Sequence, residues 1–528
     1  MKKVAIFDST LRDGAQAEGI SFSVEDKLKI VRALDDLGVA YIEAGNPGSN
    51  PKDIEFFEKV ALTPLKNARL TAFGSTRRRD IPVSEDKNVQ SLLLAHTPVV
   101  AIFGKSWDFH VVEIIKTTLE ENIKMIRETL AFFKEKGKEV VYDAEHFFDG
   151  YKANPEYAMA TLNAAVEGGA DCLALCDTNG GCFPNEVYDI VLRVKTAFPD
   201  VKVGIHTHDD CGMAVANAIM AVEAGAEHVQ GTYIGFGERC GNANLSAIIP
   251  SLQLKRDYVC LPEEQLSRLT YTARKVAEIA NISLNEKMPY VGNSAFAHKG
   301  GMHIDGVTKA SRSFEHVDPD KVGNKRRFLM SEVSGRKTIL DKIQEINPAV
   351  TKESRETELI IQKLKELEHQ GYQFEGAEST FELVIRKQLG KYKPFFELEN
   401  FKLIIEPFTP GQSASALIKV KVEGKSEITA AEGDGPVNAL DRALRKALEV
   451  FYPELATAHL TDFKVRVIDS KSATAAKVRV LIESTDGESV WTTVGVSTDI
   501  IEASWIALVD SIEYKLLKEL EKKMKVYM

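Results

Sequence analysis

Two histidines one residue apart, His206 and His208, carry the sharpest chemical signal in the chain. In an extended segment side chains alternate between faces, so residues two apart point the same way and can grip one ion. Imidazole nitrogens suit zinc, cobalt, manganese or iron, and an added carboxylate and amide oxygen widen the choice towards Mn2+ or Mg2+. Other polar groups recur, each just after a short β-rich run: Asp8 to Gly14, Glu43, Glu145-His146, Asp177 to Gly180, His206 to Asp210, and Gly235 to Asn242. Asp8, at the end of the first run, stands opposite the histidines and is the expected acidic partner. Each group also has a plainer reading. Asp209 and Asp210 could satisfy the histidines, Arg12 and Asp13 could form a surface ion pair, and Thr178-Asn179 could simply turn the chain before Gly180-Gly181.

The elements that must hold these groups alternate between strand and helix. Over the first ~250 residues, β-rich runs occur at KVAIFD, AYIEAG, LTAFGS, VVAIFG, EVVYDA, CLALCD, KVGIHT and HVQGTY. Amphipathic stretches such as VEDKLKIVRALDDLG and EENIKMIRETLAFFKEKG lie between them, and Ile123, Ile126, Leu130 and Phe133 mark one helical face of the second. Eight strands with seven intervening helices and a further helix near 245–254 predict a (β/α)8 TIM barrel, in which functional groups gather at the C-terminal strand ends. A doubly wound sheet is the rival, but no Gly-rich dinucleotide turn follows the first strand. The barrel is expected over 1–261, a mostly helical linker subdomain over 262–370, and a separate α+β domain over 371–528. That last domain reads as strands (FELVIRKQ, FKLIIEPF, SALIKVKVEG), a helix, strands (FKVRVIDS, AKVRVLIES, VWTTVGVS) and a helix, suggesting two similar halves.

A chain of 528 residues is too long for one core. Its hydrophobic content of 44% and charged content of 27% are those of a globular protein. The net charge of −10 argues against a general nucleic-acid footprint. Arg77-Arg78-Arg79 could hold a phosphate or be a plain surface cluster. No run of about 18 apolar residues is present, so no membrane span is expected. The opening MKKVAIFDST reaches an aspartate too soon for a signal-peptide core. Six cysteines (172, 176, 182, 211, 240 and 260) without a CxxC pair fit reduced thiols in a cytoplasm.

The stretch Asp8-Ser9-Thr10-Leu11-Arg12-Asp13-Gly14, the His206-Thr207-His208 triplet and the GERCGN loop (237–242) resemble the DRE-TIM metallolyase group. That group includes isopropylmalate, homocitrate and citramalate synthases and hydroxymethylglutaryl-CoA lyases. GDGPVNALDRAL (433–444) and VGVSTDIIEASWIALVDS (494–511) resemble the C-terminal regulatory domain of the synthases, which the lyases lack. GNPGSNPKD, FGSTRR, FGKSWDFHV and AEHFFDGYKAN are similar to the longer citramalate synthase subfamily. The resemblance covers essentially the whole chain.

It implies a Claisen-type acyl transfer from acetyl-CoA, as co-substrate, to a small 2-oxo acid, pyruvate, in isoleucine biosynthesis. By similarity Asp8, His206, His208 and Asn242 are the metal ligands, for Mn2+, Mg2+, Zn2+ or Co2+. Four protein ligands would leave two octahedral positions for a bidentate oxo acid. Arg12 would stabilise the developing alkoxide, and Arg12, Asp13, Glu43 and Thr178 would bind substrate, Thr178 holding the oxo acid's carboxylate. Glu145 and His303, the latter in AHKGGMHIDG, are the two expected acid–base residues, and the choice between them as base stays open. A homodimer and inhibition by an amino acid, isoleucine, are expected from the C-terminal domain. The rivals are an isopropylmalate synthase using 2-oxoisovalerate, a lyase running the reverse cleavage, and an inactive metabolite sensor.

Overall fold

The computed structural model describes residues 2–48, 51–329, 336–405, 414–468 and 476–526. The described chain forms two compact units, Met1–Phe296 with Glu315–Arg326 and Ala297–Phe314 with Arg327–Met528. Ser49 and Asn50 of the GNPGSNPKD motif, and the ends of two expected strands at 406–408 and 469–470, lie outside the described residues.

In the first unit eight parallel strands close into a barrel. They are β1 (Ala5–Asp8), β2 (Tyr41–Glu43), β3 (Arg69–Ser75), β4 (Val99–Lys105), β5 (Glu139–Glu145), β6 (Cys172–Asp177), β7 (Lys202–Thr207) and β8 (His228–Gly231). Every β-rich run expected of the barrel is one of these strands. Strand alternation divides the core in two. Phe7, Tyr41, Val99, Ala101, Val141, Cys172 and Ala174 fill the barrel interior, and their neighbours in sequence, such as Ile6, Ile42, Val100 and Val140, pack outward against the helices.

The surrounding helices begin where local chemistry expects. Helix α1 (Val24–Leu37) opens on a capping box, Ser23 Oγ accepting from the Asp26 amide at 3.2 Å while Asp26 Oδ2 accepts from the Ser23 amide at 3.0 Å. Helix α2 (Leu119–Glu135) is capped by Thr118 and buries Ile126, Leu130 and Phe133 along one face.

The second unit holds two antiparallel three-stranded sheets. The first is β9 (Glu397–Ile405), β10 (Ala414–Val422) and β11 (Lys425–Gly433), followed by α3 (Pro436–Leu448). The second is β12 (His459–Val467), β13 (Val478–Thr485) and β14 (Val490–Ser497), followed by α4 (Ile500–Val526). The two-half pattern is therefore present, with two departures. FELVIRKQ, expected as a strand, lies in the helix Glu378–Gln388, and the strand at 425–433 has no counterpart in the sequence reading. The run Phe381-Glu-Leu-Val-Ile satisfies both periodicities: Phe381 and Ile385 lie one helical turn apart, and both are buried. KSEITAAEG has too few apolar residues to announce a strand, and its pairing with β10 supplies what its composition does not.

Candidate active site

The site is built on inward-facing positions at the C-terminal ends of the strands. His206 on β7 and Gln230 on β8 are direct partners in the parallel register. His208 follows β7, and the loop after β8 folds back so that His208 bridges Asn242. That return needs a glycine. A Cβ on Gly237, at φ +155°, would lie 1.8 Å from Asn242 Oδ1.

Asp13 joins them from the turn after β1. The amides of Arg12 and Gly14 both donate to the Ser9 carbonyl, at 3.1 and 3.0 Å, curling residues 9–14 over the barrel mouth. Asp13 Oδ2 then lies 3.2 Å from His206 Nε2 and 3.8 Å from His208 Nε2, and accepts from Asn242 Nδ2 at 2.8 Å. The two Nε2 atoms are 3.2 Å apart. Ligand atoms of Asp13, His206 and His208 all lie within 4.8 Å of one another, and all three residues are buried. Asn242 Oδ1 is buried with no hydrogen-bond partner. Asn242 turns Nδ2 to the cluster, 2.8 Å from Asp13 Oδ2 and 3.2 Å from His206 Nε2. With its amide turned over to present the unsatisfied oxygen, two imidazoles, a carboxylate and that oxygen form a donor set that fits a divalent cation.

The expectation that Asp8 supplies the acid gives way here to Asp13. Asp8 shares a strand face with Ile6, which packs outside the barrel, whereas Phe7 faces the interior. Its Oδ1 accepts from the Thr10 amide at 2.9 Å, and burial pushes its pKa up to about 7.

Arg12 is not a surface ion pair. Its side chain is 14% exposed, its Nε donates to Glu43 Oε2 at 2.7 Å, and its guanidinium carbon sits 3.7 Å above the Phe73 ring. Ser9 Oγ also donates to Glu43. Electrostatics follow from this packing. Burial would raise the Asp13 pKa, but the Arg12 guanidinium and the hydrogen bond to His206 hold it well below the usual carboxylate range. Burial disfavours the charged His206 ring, yet the bond and charge of Asp13 outweigh it and raise its pKa. His208, buried beside His206, is pushed down to about 3.

The remaining expected residues are distributed as follows. Glu145, at the end of β5, pairs with Lys105 at the end of β4. Thr178 Oγ1 accepts from the His146 amide at 2.9 Å. Its carbonyl accepts from Arg239 Nη2 at 2.8 Å, while Arg239 also grips Asp210. His303, in the helix Gly301–Lys309 of the second unit, is exposed and stacks on Phe314 at 4.1 Å between centroids. Arg77 of the arginine run is not free for a phosphate, because Glu121 and Glu128 each hold it at 2.7 Å.

Two residues carry the site without any motif to announce them. Gln230 Oε1 lies 2.9 Å from His206 Nδ1, and Gln230 Nε2 donates to Asp143 Oδ1 at 2.7 Å. The signal that could find them is strand alternation, since Gln230 is two residues from His228 and Asp143 two from Val141, both interior positions.

A parallel eight-stranded barrel with a buried His-His-Asp-Asn cluster at its mouth defines a metal-dependent TIM-barrel enzyme. The chain matches the HMGL-like family over residues 3–276, the homocitrate synthase post-HMGL domain over 290–372 and the LeuA allosteric (dimerisation) domain over 375–516. It belongs to the HMGL-like family. It is 54% identical to the (R)-citramalate synthase of Aquifex aeolicus, covering 98% of this chain and 99% of that one. It is 51% identical to that of Geobacter sulfurreducens, over 99% of each. The 2-isopropylmalate synthase of Pyrococcus furiosus is 30% identical, over 95% of this chain and 97% of that one. Among solved structures, the Bacillus subtilis HMG-CoA lyase is 21% identical with a TM-score of 0.47, covering 54% of this chain and 96% of that one.

Proposed function

We propose that this chain is an (R)-citramalate synthase, joining acetyl-CoA, pyruvate and water to give (R)-citramalate and CoA. The observation that carries the reading is identity of 45–54% to five proteins of that name along nearly the whole chain, barrel and C-terminal domain together. The division of labour is catalytic barrel, helical linker and regulatory domain.

Asp13, His206, His208 and Asn242 would hold a divalent cation, which would supply Lewis acidity to polarise the oxo acid's carbonyl. Arg12 donates to the oxygen that becomes the alkoxide, with Glu43 and the Phe73 face fixing the guanidinium beforehand. Thr178 offers its hydroxyl hydrogen to the substrate carboxylate. Its oxygen already accepts from the His146 amide, which orients that hydrogen. Glu145 or His303 takes the proton from the acetyl methyl. The carbanion attacks the ketone carbon, the alkoxide gains a proton, and water cleaves the thioester to release the CoA thiol. Asp8 has no place in this sequence of events, because it faces away from it.

We place the protein in the cytoplasm, a reducing compartment that suits its six free thiols. It acts as a homodimer assembled through the C-terminal domain. Incubation with acetyl-CoA and pyruvate, followed by chiral chromatography, tests the activity. (R)-Citramalate should accumulate in step with free CoA, and CoA release without it would refute the reading.

A further inference from the structure

Gln230 is buried in the barrel wall between one histidine of the cluster and one acid that touches none of its donor atoms. Asp143 in its ionised form can only accept, so the Gln230 amide turns its NH2 towards it, at 2.7 Å. Its carbonyl oxygen then faces His206 Nδ1 at 2.9 Å. A carbonyl can only accept, so Nδ1 carries the proton. In the neutral ring Nε2 is left with its lone pair, and Nε2 is the atom 3.2 Å from both Asp13 Oδ2 and His208 Nε2. The arrangement is set by the backbone, since His206 and Gln230 are register partners on adjacent parallel strands. His208 has no such support, its Nδ1 being buried without a hydrogen bond.

We propose that Asp143 and Gln230 form a tautomer lock: Asp143 fixes the amide, and the amide fixes His206 with Nε2 ready to bind a divalent cation. Both are positioning residues, and the inference rests on the reading of Asp13, His206, His208 and Asn242 as cation donors. Partners of this kind fix the orientation and basicity of a ligating histidine.

The test measures Mn2+ binding without turnover, from the loss of the free-ion electron paramagnetic resonance signal on titration into protein. Gln230→Leu and Gln230→Met keep the volume but remove the acceptor, and should weaken Mn2+ binding by roughly 10- to 100-fold. The double variant Asp143→Asn with Gln230→Glu exchanges acid and amide. The carboxylate then at position 230 would accept from both His206 Nδ1 and the new amide at position 143. Both bonds are restored at unchanged net charge, so binding should return to within about threefold of wild type. A role in packing alone would lower the melting temperature and leave Mn2+ affinity unmoved. Wild type that leaves Mn2+ free contradicts the cation reading itself. Wild type that binds it while both single variants bind equally well, or a double variant no better than they are, overturns the lock alone.

Discussion

Arg12 is held from three sides, by the Glu43 carboxylate, the Asp13 carboxylate and the Phe73 ring. Desolvation opposes a buried guanidinium, and the two acids outweigh it and raise its pKa, so it stays charged while its orientation is fixed. A lysine would keep the charge but lose both the planar stacking and the fixed direction of the donor. Arg12→Lys should therefore lower kcat by roughly 100- to 1,000-fold with KM for the oxo acid changed little. Steady-state rates checked against a far-UV spectrum settle this, and an unchanged kcat would remove Arg12 from the alkoxide. The same turn shows why a spacing argument stops short at this scale. His206 and His208 are legible because residues two apart in an extended segment share a face, at the end of β7 and just beyond it. Asp13 is not, because it reaches them through a curled loop rather than along a strand.

At the scale of elements, the helix α4 carries an unusual load of buried polar side chains, among them Asp510, Ser511, Glu513 and Lys515. Glu513 accepts from the Phe395 amide at 3.1 and 3.3 Å, with the Tyr392 hydroxyl, Lys387 and Asp510 around it. Burial lifts its pKa from an ordinary 4.5 to about 7. A carboxyl with a raised pKa binds its proton more tightly in the folded state. Its contribution is therefore fully favourable below pH 4.5 and is lost as pH rises through 7. The lift corresponds to roughly 3 kcal/mol at most. Glu513→Gln should melt increasingly above wild type as pH is raised from about 4.5 to about 7.5, and parallel melting curves across that window would contradict the assignment. Elements of this second unit are also the harder ones to read. Each barrel strand stands out because an apolar run ends on a polar group and a helix follows. FELVIRKQ and KSEITAAEG lack that contrast, and their state is decided by what packs against them: α4 and β14 in the first case, β10 in the second. On β1, alternation alone could not say whether Phe7 or Asp8 faces inward, and the closed barrel decides it.

Across the whole molecule, a barrel carrying the chemistry is joined to a domain of two sheet-and-helix halves that matches an allosteric module. Feedback requires an effector to bind the inhibited state more tightly than the active one, so binding by itself would prove nothing. Isoleucine at millimolar concentration should lower the rate of the full chain, with leucine and valine weaker. An unchanged rate would leave the domain a role in assembly only, and inhibition by leucine instead would favour isopropylmalate synthesis. Whether the oxo acid is pyruvate is decided by CoA-thiol release with pyruvate, 2-oxobutyrate and 2-oxoisovalerate side by side. A pocket shaped for a methyl ketone excludes the isopropyl group by overlap. The kcat/KM for pyruvate should therefore exceed that for 2-oxoisovalerate by at least about tenfold. A higher kcat/KM for 2-oxoisovalerate, or no thiol release with any of the three, would contradict pyruvate as the substrate.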